Sequence, residues 1–288
     1  MFLTNIRYAD DIILFGKNLD ELIEMLSLLK DELSNVGLEM HALKTKILSN
    51  QVQNQYRFVD IGDMMIEILS NEKIHKYLGR NINLFAEHRT ECEVNHRLQL
   101  AWAKFHQNRK WLLDHHIPLS LRLRFFDAVV SPTAVFAGSV LSFKKSDFSK
   151  IDIVQRRMLR NIIGWRRRAG ETWETTMHFM KIRLENALKA FPVACWSDRI
   201  FGMRWKYAFH VIHNEKMVFP RLLADWVPTN AAGEIPRRKQ GRPRVRWDDD
   251  LFFYCKEELE LAHWLDLRRF SKAELDGMET DFILYCQE

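Results

Sequence analysis

The chain has 288 residues and a mass of 34.4 kDa, with 47% hydrophobic and 28% charged residues. That balance excludes an intrinsically disordered chain, and the length allows about two domains. A formal net charge of +5 and a pI near 9.0 are only mildly basic, so any role with nucleic acid must rest on where cations cluster. Cys92, Cys195, Cys255 and Cys286 lack paired spacing, which argues against a disulfide framework and against a Cys-x-x-Cys zinc site. His210 and His213 have no companion at ligand spacing. No secretory signal and no apolar run of bilayer length are read, so an intracellular chain with no membrane partner is expected.

In chain order, apolar runs at residues 2–7 and 12–15 flank Tyr8-Ala9-Asp10-Asp11 and predict a hairpin with two carboxylates at its tip. Neighbouring strand side chains point to opposite faces, so the two acids act together only if a turn at Ala9-Asp10 redirects one. On the residues alone, the pair is either a solvated surface turn or a site where carboxylates meet metal or cations. Leu19, Leu22, Ile23, Leu26, Leu29 and Leu33 then recur at helical spacing. Asn18 with Glu21 reads as a capping box, and Gly37 as the stop. Residues 56–61 and 65–69 alternate around Gly62-Asp63 and predict a second hairpin. Lys76-Tyr77-Leu78-Gly79 follows, with Gly79 either an ordinary loop glycine or a point of close backbone approach.

After about residue 85 the pattern is helical. Val94, Leu98, Ala101, Phe105 and Leu112 mark one long helix, with Trp102 and Trp111 beside the stripe. Pro118 opens another through Leu121, Phe125, Phe126 and Val129, ended by Pro132. Phe148, Ile151, Val154, Met158 and Ile162 define a third, opened by Ser146 or Asp147 and stopped by Gly164. Trp196, Ile200, Met203, Tyr207 and Val211 predict a further buried face, and a closing helix is read over residues 249–267.

Two cation clusters stand out. Arg156, Arg157, Arg160 and Arg166-Arg167-Arg168 lie on a helix flank and the loop after it, and are either a solvated face or phosphate contacts. Trp165 beside them is a stacking platform or a buried anchor. Residues 237–246 hold six cations in ten residues around Gly241-Arg242-Pro243. Pro243 disfavours helix there, and such a strip suits a narrow minor groove, a localisation signal or a clamp onto Asp248-Asp249-Asp250.

The Tyr-Ala-Asp-Asp hairpin, the amphipathic helix after it, Gly37-Leu38 with Lys44-Thr45, and Lys76-Tyr77-Leu78-Gly79 together resemble non-LTR retrotransposon (LINE-type) reverse transcriptases. Gly241-Arg242-Pro243 with Arg246-Trp247 and the acids that follow resembles the closing segment of such polyproteins. The resemblance covers nearly the whole chain and is specific at residues 2–15, 37–46, 76–79 and 241–248. It implies an α+β, predominantly α architecture: a partial polymerase palm over 1–85, a helical thumb-like region over 86–170, and a helical C-terminal region over 171–288. It implies an RNA template, a DNA primer and a two-ion Mg²⁺ site, with Asp10 the stronger ligand and Asp11 supporting. It also places Lys44 near the phosphates of an incoming nucleotide, and Tyr8, Leu78 and Gly79 beside nucleic acid. Arg156, Arg157, Arg160, Arg166, Arg167, Arg168, Arg242, Arg244 and Arg246 would be its further nucleic-acid contacts.

The chain departs from the family at His41, where Asn is usual, and near Gly138-Ser139-Val140-Leu141. Only nine residues precede Asp10, whereas the resembling enzymes bring their principal metal-binding aspartate and fingers from earlier sequence. The expectation is a fragment of an RNA-directed DNA polymerase, inactive alone. The alternative is a non-catalytic RNA- or DNA-binding module.

Overall fold

The structure, a computed structural model, describes residues 4–49, 57–70, 73–82, 86–224 and 246–287. The chain divides into two compact units, Met1–Arg89 and Thr90–Glu288. The architecture is α+β and predominantly helical, as expected. Arg242 and Arg244 lie outside the described residues.

In the first unit, β1 (Asn5–Tyr8) and β2 (Asp11–Leu14) form an antiparallel two-stranded sheet. The helix α1 (Leu19–Asn35) starts where the capping signal lies: Asn18 Oδ1 accepts from the Glu21 N–H at 2.8 Å, and the Glu21 carboxylate accepts from the Lys17 N–H at 2.6 Å. A three-stranded sheet follows. Its centre is β5 (Met64–Leu69), paired parallel with β3 (Lys46–Leu48) and antiparallel with β4 (Phe58–Ile61). Leu26 of α1 packs with Ile47, Val59, Ile61, Ile66 and Ile68 of this sheet, and Leu14 of β2 leans against that core. A last hairpin pairs β6 (His75–Tyr77) with β7 (Arg80–Ile82).

The second unit is helical: α2 (Ala86–Gln107, entered from the end of the first unit), α3 (Arg109–Leu113), α4 (Leu119–Val129), α5 (Ser131–Val135), α6 (Lys145–Ile163), α7 (Trp173–Ala190), α8 (Trp196–His213), α9 (Val218–Ala224), α10 (Asp249–Glu257) and α11 (Lys272–Tyr285). The stripe Val94, Leu98, Ala101, Phe105 and Leu112 is buried as its spacing predicts, but the helix breaks at Asn108, whose side-chain amide donates to the Lys104 carbonyl at 2.8 Å. Two hydrophobic cores share α8. Trp196 and Ile200 fill one with residues of α2 through α7, while Phe201, Trp205 and Ala208 fill the other with α9, α10 and α11.

Three expectations change here. Pro132 stands in the first turn of α5 rather than merely closing α4, because a first-turn proline gives up no helical hydrogen bond. The closing helix stops at Glu257: Glu260 takes a left-handed φ of 53° and turns the chain, so that Trp264 is buried and its indole N–H reaches Asp248 at 3.0 Å. Leu119–Val140 has the length and apolar composition of a membrane span, against the expectation of no such run. It folds as α4, α5 and a 3₁₀ turn at Gly138–Val140.

The inward face of α4 is also rotated from the one its apolar residues suggest. Phe126 is buried as expected, but Leu121 is exposed, Phe125 and Val129 are half-buried, and Arg122 and Leu123 turn inward. The Arg122 guanidinium donates to the carbonyls of Ile162 at 2.5 Å, Ile117 at 3.0 Å and Leu112 at 3.4 Å. Ile162 and Leu112 stand in the last turns of α6 and α3, where carbonyls lack helical partners and the dipole favours a cation. Burial lowers the guanidinium pKa and the Asp114 charge opposes the shift, while the three carbonyls accept its hydrogen bonds.

Arg122→Met keeps the stem and strips those carbonyls of their donor. The expected cost is about 2–4 kcal/mol for the second unit, read as a lower urea midpoint. Arg124→Ala, an exposed neighbour on α4, should cost under about 0.5 kcal/mol. Equal midpoints for the two variants would contradict this assignment.

Candidate functional site

The two acids sit on a two-residue turn. Tyr8 pairs with Asp11 at the end of the β1–β2 ladder, leaving Ala9 and Asp10 as the connection. Ala9 takes a φ of 51°, a conformation that costs a residue with a Cβ roughly 1 kcal/mol. This is the redirecting turn that the sequence calls for. Asp10 and Asp11 are both exposed and neither has a hydrogen-bond or ion-pair partner among the described residues. Tyr8 is 64% exposed beside them.

The Lys76–Gly79 segment forms the tip of the β6–β7 hairpin. Leu78 and Gly79 occupy its turn with φ of 46° and 76°, the doubly positive geometry that suits the twist of paired strands. Glycine tolerates that freely and Leu78 does not, so the leucine is held out at the tip, 39% exposed, at some backbone cost. Below it, the Tyr77 hydroxyl is buried without a hydrogen-bond partner among the described residues. Burial first, and then the Asp11 charge, push the Tyr77 phenol above its ordinary pKa. The tyrosine of the β6–β7 hairpin therefore lies within the field of an acid of the β1–β2 hairpin.

Lys44 lies in the turn before β3, its N–H bonded to the His41 carbonyl at 3.0 Å and its side chain exposed. That carbonyl also accepts from the Thr45 N–H at 3.0 Å and the Thr45 hydroxyl at 3.1 Å. These contacts use only the backbone of His41, so a change of side chain at this position leaves them in place.

Carboxylates fit Mg²⁺ chemistry, and two on one turn provide part of a hard-oxygen shell. Among the described residues, no group of three or more His, Cys, Asp or Glu is placed to hold a metal ion.

The arginine cluster lies in the second unit. On α6, Arg156 and Arg157 are exposed and Arg160 is half-buried; burial and then the charges of Arg157 and Arg156 lower the Arg160 pKa. Gly164 ends α6 at a φ of 91°, and its carbonyl accepts from Arg183 of α7 at 3.1 Å. Trp165, Arg166, Arg167 and Arg168 follow, all exposed. Arg167 donates to the Glu171 carbonyl at 3.0 Å, and the Arg168 N–H to the Glu171 carboxylate at 3.2 Å, so two of the three loop arginines shape the loop. Arg166 has no hydrogen bond or ion pair among the described residues.

Arg246 serves the second core. Its guanidinium donates to the Ala224 carbonyl at 2.5 Å and to Asp248 at 3.2 Å, while its backbone N–H donates to Asp249 at 2.7 Å. Asp250 in turn pairs with Arg204 of α8, which is buried and also donates to the Leu141 carbonyl at 3.0 Å. The clamp onto the adjacent acids is therefore present. Sequence reasoning missed the reach of the Asp11 charge to Tyr77, Arg122 as an anchor at the end of α6, and Trp173 and Phe179 beside the arginine loop.

Residues 3–82 match the family model described as reverse transcriptase (RNA-dependent DNA polymerase). The chain is also similar to a transposon-derived protein of Caenorhabditis elegans, 27% identical over 249 residues, which cover 86% of this chain and 84% of that one. No solved structure matches. The first unit is thus similar to reverse transcriptases, and most of the chain to a transposon-derived protein.

Asp11→Asn removes the charge that opposes ionisation of Tyr77. The phenol should then titrate at lower pH, yet stay above the ordinary tyrosine value because burial remains. Carbon-detected NMR of labelled tyrosine reads this directly, with Tyr254 as the reference whose titration should not move. An unchanged Tyr77 titration would mean that the two hairpins are not electrostatically coupled.

Proposed function

We propose that this chain carries the later part of the palm of a LINE-type, RNA-directed DNA polymerase, followed by a thumb-like region over 86–170 and a helical C-terminal region over 171–288. The observation that carries the reading is the match of residues 3–82 to reverse transcriptases, a span that includes the Tyr-Ala-Asp-Asp hairpin whose turn exposes both acids. In such a site Asp10 and Asp11 are ligands for Mg²⁺ only together with a carboxylate from outside the described residues.

Each remaining residue has a part that its placement supports. Exposed Lys44 offers a cation to nucleotide phosphates. Tyr8 and the Leu78-Gly79 tip offer surface to the primer end. Arg156, Arg157, Arg160 and Arg166 offer phosphate contacts on the template–primer, an attraction that is independent of sequence and weakens with salt. Crowding of the three α6 guanidiniums is a repulsion that a bound phosphate relieves.

A second reading, an RNA- or DNA-binding module without catalysis, is favoured by the incomplete metal shell beside an intact arginine cluster. One experiment separates the readings. The chain is mixed with a primed RNA template, nucleotides and Mg²⁺, and both extension and binding are followed. The expected result is salt-sensitive binding without extension, with the Asp10→Ala, Asp11→Ala double variant binding within about twofold of wild type. Mg²⁺-dependent extension lost in that variant would show that the chain holds a complete catalytic site. Absence of any nucleic-acid binding would remove both readings.

A further inference from the structure

The loop between α6 and α7 exposes aromatic surface among its arginines. Trp165 is 44% exposed and Trp173, at the first position of α7, is 59% exposed; their ring centroids lie 5.4 Å apart with planes inclined by 33°. Phe179, one and a half turns along α7, is 45% exposed, with the Arg168 guanidinium over its ring at 5.9 Å. Trp196, Trp205 and Trp264 of this unit are buried with their indole N–H groups bonded, and Trp111, 63% exposed, has no aromatic ring against it among the described residues. Exposing two indoles side by side forgoes that burial, so the pair is not explained by the core.

The loop is held rather than loose. Arg122 caps the end of α6 from below through Ile162, and Arg183 holds the Gly164 carbonyl. The Glu171 carboxylate accepts from the Arg168 N–H and, at 3.2 Å, from the buried Thr176 hydroxyl. Thr172 caps α7 by accepting from the Thr175 N–H, also at 3.2 Å. A platform fixed in this way loses little conformational freedom when a ligand settles on it.

We propose that Trp165 and Trp173, with Arg166 between them in the chain, form a stacking site for unpaired bases of a single-stranded nucleic acid. The site takes a nucleobase against the indole faces and a neighbouring phosphate against Arg166. Charge selects the occupant: an apolar protein segment would gain from the rings but would leave Arg156, Arg157 and Arg166 without counter-charge, whereas a single strand carries bases and phosphates together. The arrangement distinguishes a strand from a duplex, because paired bases are already stacked. The proposal rests on the nucleic-acid-binding reading above and names which form of nucleic acid this face holds.

The test uses the full chain and short fluorescent single strands, DNA and RNA in parallel, beside an abasic strand of the same length that keeps the phosphates and lacks the bases. Wild type should prefer the base-bearing strand by about 5- to 150-fold. Trp165→Ala and Trp173→Ala should each erase most of that preference, and Trp165→Phe should keep much of it. Arg166→Ala should lower the slope of log affinity against log salt by about 0.7 for both strands. Phe253→Ala, an exposed aromatic of α10, should change neither. Preference retained in both tryptophan-to-alanine variants would overturn the stacking site while leaving nucleic-acid binding intact. No binding of any strand would overturn the underlying reading as well. A change in oligomeric mass in the tryptophan variants without ligand would instead assign the surface to a second copy of the chain, and would also overturn the proposal.

Discussion

A single buried guanidinium holds the end of α6, from which the exposed arginine loop departs. Arg122 lies inside the helical unit and accepts burial because three backbone carbonyls converge on it, two of them from the ends of α3 and α6. Helix ends leave carbonyls unpaired and carry partial negative charge, so the cation and the ends satisfy each other. That mutual requirement decides where α6 stops. Gly164 then takes a φ that side chains rarely adopt and sends the chain outward, and Trp165 to Arg168 emerge at the surface. An apolar residue at 122 would fill the volume but leave those carbonyls unmet.

The other organising element is α8, which serves two cores from opposite faces. Trp196 donates its indole N–H to Ser131 on one side, and Trp205 donates to the Leu275 carbonyl on the other. Between them Arg204 holds Leu141 and Asp250 and draws the Asp248–Asp250 segment onto the helix. Arg246 joins the same network through Asp248 and Ala224, with Trp247 against Tyr207 and Trp264. The end of the basic strip is thus packed into the fold. The arginines of the α6–α7 loop remain outward, in contrast to Arg246, the one cation of the strip among the described residues.

Much of this was legible from spacing. The stripes on α1, α2 and α6, the cap at Asn18 and the turn at Ala9-Asp10 follow from rules that act within a few residues. The α8 stripe was legible on one face only: Phe201, Trp205 and Ala208 point into a second core, and a helix buried on two sides has no single period to read. Arg122 was illegible because its partners are carbonyls distant in sequence, and charged residues are normally assigned to the outside. The closing helix was read too long because an apolar period continues past Glu260, whose left-handed turn no local residue type announces. The start of α11 was missed although Ser271 and Glu274 form a capping box that the sequence displays. The aromatic pair needed the fold, since Trp165 and Trp173 are separated by a loop whose closure depends on Glu171.

Asp10 and Asp11 on an exposed turn, within the part of the chain similar to reverse transcriptases, and an arginine loop held beside exposed indoles are the two features on which the proposed binding of nucleic acid rests. The most direct measurement is photo-cross-linking of the full chain to a photoactivatable single strand, with the cross-linked peptides mapped. The account expects cross-links concentrated in residues 164–179, led by Trp165 and Trp173. Cross-links confined to residues 1–82, with none in the α6–α7 loop, would contradict it.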